Sequence, residues 1–178
     1  MKLFKPIILI SPATAALVLF LDQTSKRLVM AQLVEGQSWD AVPELALFRI
    51  THVTNTGAAF GLFPHLSNLF ILVALFVIGA IIFYLQHLPD EQWLARIALG
   101  LQLGGATGNL VDRLHWGSVV DFIDLNFWPL QKWPVFNLAD TSIVTGVTLL
   151  VLLMLWEEWC ARDELSASEG GGKQASAR

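Results

Sequence analysis

Charge is scarce in this 178-residue sequence: Asp, Glu, Lys and Arg together make up 15% of it, where soluble domains carry about 25%. With 54% hydrophobic residues and a mean hydropathy of +0.58, that deficit excludes an ordinary soluble domain and points to a membrane. Cysteine is almost missing too. The single Cys160 rules out an intramolecular disulfide and any cysteine-based metal site. A net charge of −4 without a basic stripe gives nucleic acid no electrostatic footing. No HExxH, GxSxG, P-loop or GxGxxG pattern occurs, so the corresponding metallopeptidase, serine hydrolase and nucleotide-binding readings have no support.

What the chain has instead is long uncharged runs. Leu66 to Gln86 contains no charge and meets the requirement of about 20 apolar residues for a spanning helix. Three others, from Pro6, from Ile97 and up to Trp156, reach that length only if a carboxylate near one end is included. The run after Lys2 and Lys5 reads as a retained helix rather than a cleaved leader, because no small-residue cleavage site precedes Asp22 and three more runs follow. The expected fold is an all-α membrane protein with four transmembrane helices, at about 6–25, 66–86, 94–113 and 136–158. A small extracytoplasmic β-element is expected between the first two. It rests on "ELALFRITHVTN" (Glu44 to Asn55), rich in β-branched and aromatic residues, followed by Gly57 and Gly61 for turns. Residues 1–164 form one domain, and the Gly/Ser-rich 165–178 reads as a disordered tail.

Alternation of four helices brings the polar residues to one membrane face: Asp22, Lys26, Asn55, Asn109, Asp112, Arg113, Asp121, Asp124, Asn137 and Asp140. Trp39, Trp116, Trp128 and Trp133 fall on that side, and Trp93, Trp156 and Trp159 on the other, as interfacial belts require. The basic residues barely choose an orientation. Six (Lys2, Lys5, Arg96, Arg162, Lys173, Arg178) stand on the side of the termini and five (Lys26, Arg27, Arg49, Arg113, Lys132) on the other, a slight lean toward cytoplasmic termini. Gly100, Gly104 and Gly108, with Gly105 and Ala106 beside them, make a small-residue stripe that admits a neighbouring helix closely.

Several of these polar residues have plain structural explanations. Asp22 and Lys26 are an i,i+4 ion pair at a helix end. Asp112 and Arg113 read either as an interfacial pair or as a charge and a guanidinium fork for a substrate carbonyl. Asn109 and Asn137 serve packing or orient a site, and the histidines, His52 among them, read as solvated or interfacial. The plain reading of Asp124 is an exposed loop charge. Asp140 stands in the first turn of the last run, where a helix dipole favours a carboxylate. Asp121 lies in "VVDFIDL", among apolar neighbours that keep it dry. Two carboxylates brought together there would share one proton. The charged one could then take a proton from water while the other hydrogen-bonds a carbonyl, hydrolysing a peptide bond without metal or cofactor. Spacing alone does not separate Asp121 from Asp124. A proton- or ion-coupled transporter is the rival reading, but it calls for ionisable groups through the membrane depth, and these cluster on one face.

Five blocks in order, "DQTSK" (22–26), "NTGAAFG" (55–61), "GGATGNLVDR" (104–113), "VVDFI" (119–123) and "FNLAD" (136–140), resemble the bacterial lipoprotein signal peptidase (signal peptidase II) family over roughly residues 20 to 145. The resemblance implies an aspartyl endopeptidase of the bacterial inner membrane, with cytoplasmic termini and a site facing the periplasm or cell exterior. Such an enzyme removes the signal peptide from diacylglyceryl-modified prolipoproteins, cutting just before the lipid-bearing cysteine. It further implies Asp121 and Asp140 as catalytic, Asn55, Asn109, Arg113 and Asn137 as substrate-binding, and Asp22, Lys26, Gly57, Gly108 and Asp112 as site support. No cofactor or metal is implied; the partners are lipid-modified prolipoproteins, membrane lipids and inhibitory peptide antibiotics of the globomycin type. His52 departs from the family, where an aromatic residue such as Tyr is usual, and puts the local packing of the β-element in question.

Overall fold

The computed structural model describes residues 6–40, 47–57 and 66–175, with side chains described up to Arg162. A short turn, Pro6–Leu9, leads into α1, Ile10–Gln32. Pro12 falls in the first turn of α1, where its missing N–H breaks no bond. Two strands follow, β1 at Ser38–Asp40 and β2 at Phe48–Asn55, then α2 at Ser67–His87 and α3 at Trp93–Trp116. Gly117 ends α3 at φ +73°, its N–H returning to the Arg113 carbonyl, a left-handed cap that glycine adopts without strain. That turn sends the chain into β3, Val119–Leu125, and a loop then leads to α4, Leu138–Ala175. The helix continues well past Glu164, into the stretch whose composition suggests an unstructured tail.

Among the described residues, three helical stretches are long and apolar enough to cross a membrane: Ile7–Gln32, Ser67–His87 and Leu138–Arg162. The expected fourth span, α3, has the length but less hydropathy, and its position explains why. It packs against α1, α2 and α4, and twelve of its residues are buried, so it needs little apolar surface of its own. Its glycines set the approach. A Cβ at Gly104 would lie 2.7 Å from the Ala15 carbonyl oxygen, and one at Gly100 would lie 2.8 Å from that of Ser11. On the other side Gly146 brings α4 against Ala98, where an added Cβ would stand 2.5 Å from the carbonyl. Gly104→Ala should therefore lower stability by about 1–3 kcal/mol, read as a lower thermal midpoint in detergent. Gly79→Ala, which would meet no atom within 4 Å, should be neutral by the same measurement.

The β-element differs from expectation in its source. The sheet is antiparallel in the order β1-β2-β3, so one strand comes from the connection between α3 and α4. β2 meets β3 with Arg49 opposite Asp124 and Val53 opposite Asp121, and the register shifts between Ile50 and Val53. Four of the first five residues of β3 are fully buried and the run is apolar on both faces, a pattern that hides strand alternation. The sheet thus ties the α1–α2 connection to the α3–α4 connection at one end of the helices.

Candidate active site

At the bottom of the site lies a cation. Lys26 is almost wholly buried and stands 2.8 Å from both Asp22 and Asp112. A buried ammonium tolerates such a place only when paired and hydrogen-bonded. All three side chains reach outward to other elements. Asp22 Oδ1 accepts the Ala139 N–H at 2.9 Å, fixing the start of α4. Asp112 Oδ2 accepts the Val120 N–H at 3.2 Å, fixing β3 one residue before Asp121. Lys26 Nζ donates to Asn109 Oδ1 at 3.0 Å, leaving the Asn109 amide nitrogen to donate to Asp140 Oδ1 at 2.7 Å. Gly108 leaves room for this packing: a Cβ there would lie 2.6 Å from Asp22 Oδ2.

Asp140 is held from below by Asn137. Asn137 Oδ1 accepts the Asp140 N–H at 2.9 Å, and Asp140 Oδ2 accepts the Asn137 N–H at 3.3 Å. This is the reciprocal arrangement of a capping box, with Asn and Asp in place of its usual residues. The plain reading of Asp140, a carboxylate placed in the first turn of a helix, therefore holds as far as it goes. The same Asn137 side chain also donates to Asp121 Oδ1 at 2.6 Å, and Asn55 Nδ2 reaches Asp121 Oδ2 at 3.1 Å. One wholly buried asparagine thus touches both carboxylates. Burial, and then the negative charge of Asp140, push the Asp121 carboxyl up to about 7, against the pull of its two amide donors.

Above the carboxylates opens a cavity of about 590 Å³. Asn55, Gly57, Asn109 and Arg113 line its polar end, and Leu130, Trp133, Phe136 and Val144 are among its apolar walls. Arg113 does not pair with Asp112. Neighbours in a helix face different ways, and Arg113 instead reaches the Gly57 carbonyl at 3.3 Å and lies over the Phe70 ring at 5.2 Å. Its Nε has no partner among the described residues, which leaves a donor in the same cavity as the two carboxylates. Gly57 gives its N–H to Asn55 Oδ1, so Asn55 is turned with its amide nitrogen toward Asp121. The structure brings together every polar residue of the expected cluster except Asp124.

Asp124, expected as an exposed loop charge, is buried elsewhere. It takes hydrogen bonds from Arg49 Nε at 3.1 Å and Thr51 Oγ1 at 2.8 Å, on the far face of β3. It therefore ties β2 to β3 and stands apart from the site. His52 likewise is not solvated. Its Nδ1 bonds the Leu33 carbonyl at 2.9 Å and it is buried, so it fastens β2 to the end of α1. Gln23 is a site residue that sequence reasoning misses: its amide nitrogen donates to Asp112 Oδ1 at 2.8 Å and to the Gly108 carbonyl at 3.3 Å. Its place inside the "DQTSK" block, next to Asp22, is the available signal.

The chain is similar to known proteins over most of its length. The family described as "Signal peptidase (SPase) II" matches residues 14–156. The lipoprotein signal peptidase of Desulfitobacterium hafniense (strain DSM 10664 / DCB-2) is 44% identical over 145 residues, 82% of this chain and 92% of that one. That of Geobacter metallireducens is 41% identical over 157 residues, 86% of this chain and 95% of that one. A solved structure described as a bacterial membrane enzyme superposes with a TM-score of 0.75 at 31% identity, covering 83% of this chain and 88% of that one.

Proposed function

The chain belongs to the signal peptidase II family, and from that premise we propose that it cuts diacylglyceryl-modified bacterial prolipoproteins just before the lipid-bearing cysteine, with Asp121 and Asp140 as the pair that activates water. Membership makes it a protease acting on prolipoprotein signal peptides. The observation that carries the finer reading is Asn137, hydrogen-bonded to both carboxylates.

In this reading Asp140, at the positive end of α4, is the charged member, and Asp121, raised by burial, holds the proton. Asp140 takes a proton from water as the oxygen attacks the scissile carbonyl carbon. Asp121 gives its proton to the carbonyl oxygen, forming a tetrahedral diol. Collapse breaks the C–N bond, the amine of the cysteine leaves with a proton from Asp140, and a hydroxyl proton returns to Asp121. Arg113 and Asn55 bind the peptide backbone beside the reacting bond. The acyl chains hold the cysteine at fixed depth, since each buried CH₂ contributes about 0.8 kcal/mol, and that anchoring presents the bond to the carboxylates.

The arrangement in the membrane follows the same reading. α3 is the fourth span, enclosed by the other helices, in a bacterial inner membrane. The termini are cytoplasmic and the sheet lies over the site on the outer side. Peptide antibiotics of the globomycin type would occupy the cavity above Asp121. Residues 165–178 extend beyond the membrane domain on the cytoplasmic side.

Cleavage of a lipidated prolipoprotein, followed against pH, tests the proposal. Activity needs the proton on Asp121, so kcat/KM should fall as pH rises through about 7. Stability should move the same way. The folded protein keeps a proton that the unfolded chain has released above 3.8, so stability falls as pH rises from there to about 7 and stays reduced above. Asp121→Asn lacks this titration. Between about pH 5 and about pH 8, the thermal midpoint of the unsubstituted protein should drop relative to that of the variant. A rate flat across that range, with chemistry limiting, would remove the shared proton.

A further inference from the structure

A second cavity, of about 560 Å³, opens at the opposite end of the helices from the carboxylates. α2 packs on α3 and leaves a cleft toward α4. On α3, Ala95, Leu99, Gln102, Ala106, Asn109 and Arg113 recur at three- and four-residue spacing and so share one face. Ala95 and Leu99 line the second cavity, and Asn109 and Arg113 line the first. The two cavities therefore open at the two ends of one face of α3, with Gly146 of α4 packed against Gln102 between them. From Ala95 to Arg113 is eighteen residues, about 27 Å of helix.

The second cavity is acidic at its rim and apolar within. Phe76, Ala80 and Met154 are among its apolar walls, and Glu91 and Glu157 stand at its mouth. Both glutamates are exposed, and neither belongs to an ion pair among the described residues. The nearby Arg96 is buried and turned to the Leu88 carbonyl at 2.7 Å and to Asp90 at 3.7 Å, so it leaves the mouth negative.

We propose that this lower cavity receives the amino-terminal half of the signal-peptide helix, with Glu91 and Glu157 pairing with its basic residues. The inference rests on the activity proposed above. A signal peptide carries Lys or Arg before an apolar stretch of about 7–15 residues, then a short segment up to the cut. Such a segment, helical and about 18 residues long, spans the distance along α3 from the carboxylates to the glutamates. Its charges then emerge on the membrane face opposite the cut, beside Glu91 and Glu157. Charge complementarity at an exposed rim contributes mainly to capture and selection of substrate. The chemical step should be indifferent to it.

The experiment compares two lipidated prolipoprotein peptides, one with a lysine-containing amino-terminal segment and one with glutamines there. Both are given to the unsubstituted full chain, to a Glu91→Gln/Glu157→Gln variant and to Ala80→Trp, which fills the cavity. The glutamate variant should raise KM about fivefold for the lysine peptide and leave the glutamine peptide and kcat unchanged. The difference should vanish at about 1 M salt, where exposed charges are screened. Ala80→Trp should raise KM for both peptides. Equal effects of the glutamate variant on both peptides, or no effect on either, overturns the pairing. Unchanged KM in Ala80→Trp assigns the cavity to bulk lipid and overturns the docking. An unsubstituted protein that cleaves neither peptide overturns the proposed activity itself.

Discussion

Asp121→Asn and Asp140→Asn should each lower kcat for lipidated prolipoprotein cleavage by about three orders of magnitude, with the protein still folded. The isosteres keep the shape but cannot hold a negative charge or pass a proton. They also lose geometry. Asp121 faces two amide donors, from Asn55 at 3.1 Å and Asn137 at 2.6 Å, and an asparagine side chain offers one acceptor oxygen. Asp140 likewise sits between the Asn109 amide at 2.7 Å and the Asn137 N–H at 3.3 Å. Loss of folding is a separable outcome. Asp121→Asn removes a carboxyl that burial already disfavours when charged, so its thermal midpoint at alkaline pH should not fall below that of the unsubstituted protein. Asp124→Asn supplies the internal control, since its carboxylate serves Arg49 and Thr51, and it should keep most of the activity. Near-normal turnover by either isostere of the pair would remove that residue from the mechanism.

Lys26→Met should have the largest effect on stability of any single substitution in the site, a loss of about 3–5 kcal/mol. The substitution keeps most of the side-chain volume and deletes the charge, leaving Asp22 and Asp112 buried without their shared cation. Two further losses follow from the geometry. Asn109 loses the shorter of the two bonds to its oxygen and keeps only that from Asn137 Nδ2 at 3.2 Å, so its amide nitrogen is held less firmly toward Asp140, where nitrogen is required. Asp22 and Asp112, no longer drawn to a common centre, loosen their hold on the Ala139 and Val120 N–H groups. Thermal unfolding in detergent reads the loss of charge pairing, and kcat reads the loss of orientation. Adding Asp22→Asn and Asp112→Asn to Lys26→Met should recover much of the stability but not the rate, because it removes the unpaired charge without restoring the orientation of Asn109. A Lys26→Met protein as stable as the original would show that the buried triad is not held by its charges.

The helices and the gathering of polar residues at one end are legible in the sequence because both follow from hydropathy and alternation alone. Asp22 and Lys26 can be paired on helical spacing, and they are paired. Asp112 is harder to match, because adjacency in the chain suggests Arg113 whereas adjacency in the helix excludes it. Its cation comes from α1. Asp121 and Asp124 cannot be told apart while their stretch reads as a loop. In a strand, residues three apart point to opposite faces, so β3 is the element that separates them. That strand is concealed in the sequence because both of its faces are covered and its residues do not alternate in polarity. The weak hydropathy of α3 has the opposite origin. A helix enclosed by three others can carry glycine, glutamine and asparagine where a lipid-facing helix could not.

The bond from the Ala139 N–H to Asp22 joins residues 117 positions apart, and this has a bearing on how the protein is made. Synthesis delivers α1 first, with the Asp22–Lys26 contact already local to it. Asp112 can join only when α3 is present, and Asn137 and Asp140 only when α4 begins to emerge. Until then Asp121 has no Asn137 beside it, and the cavity above it lacks the wall supplied by Ile143 and Val144. If Asp121 and Asp140 act as proposed, a ribosome-bound chain carrying α1 to α3 lacks half of the pair and should not hydrolyse. On that proposal, arrival of α4 is the event that would switch the protein on, and the nascent chain would be inert toward its neighbours before then.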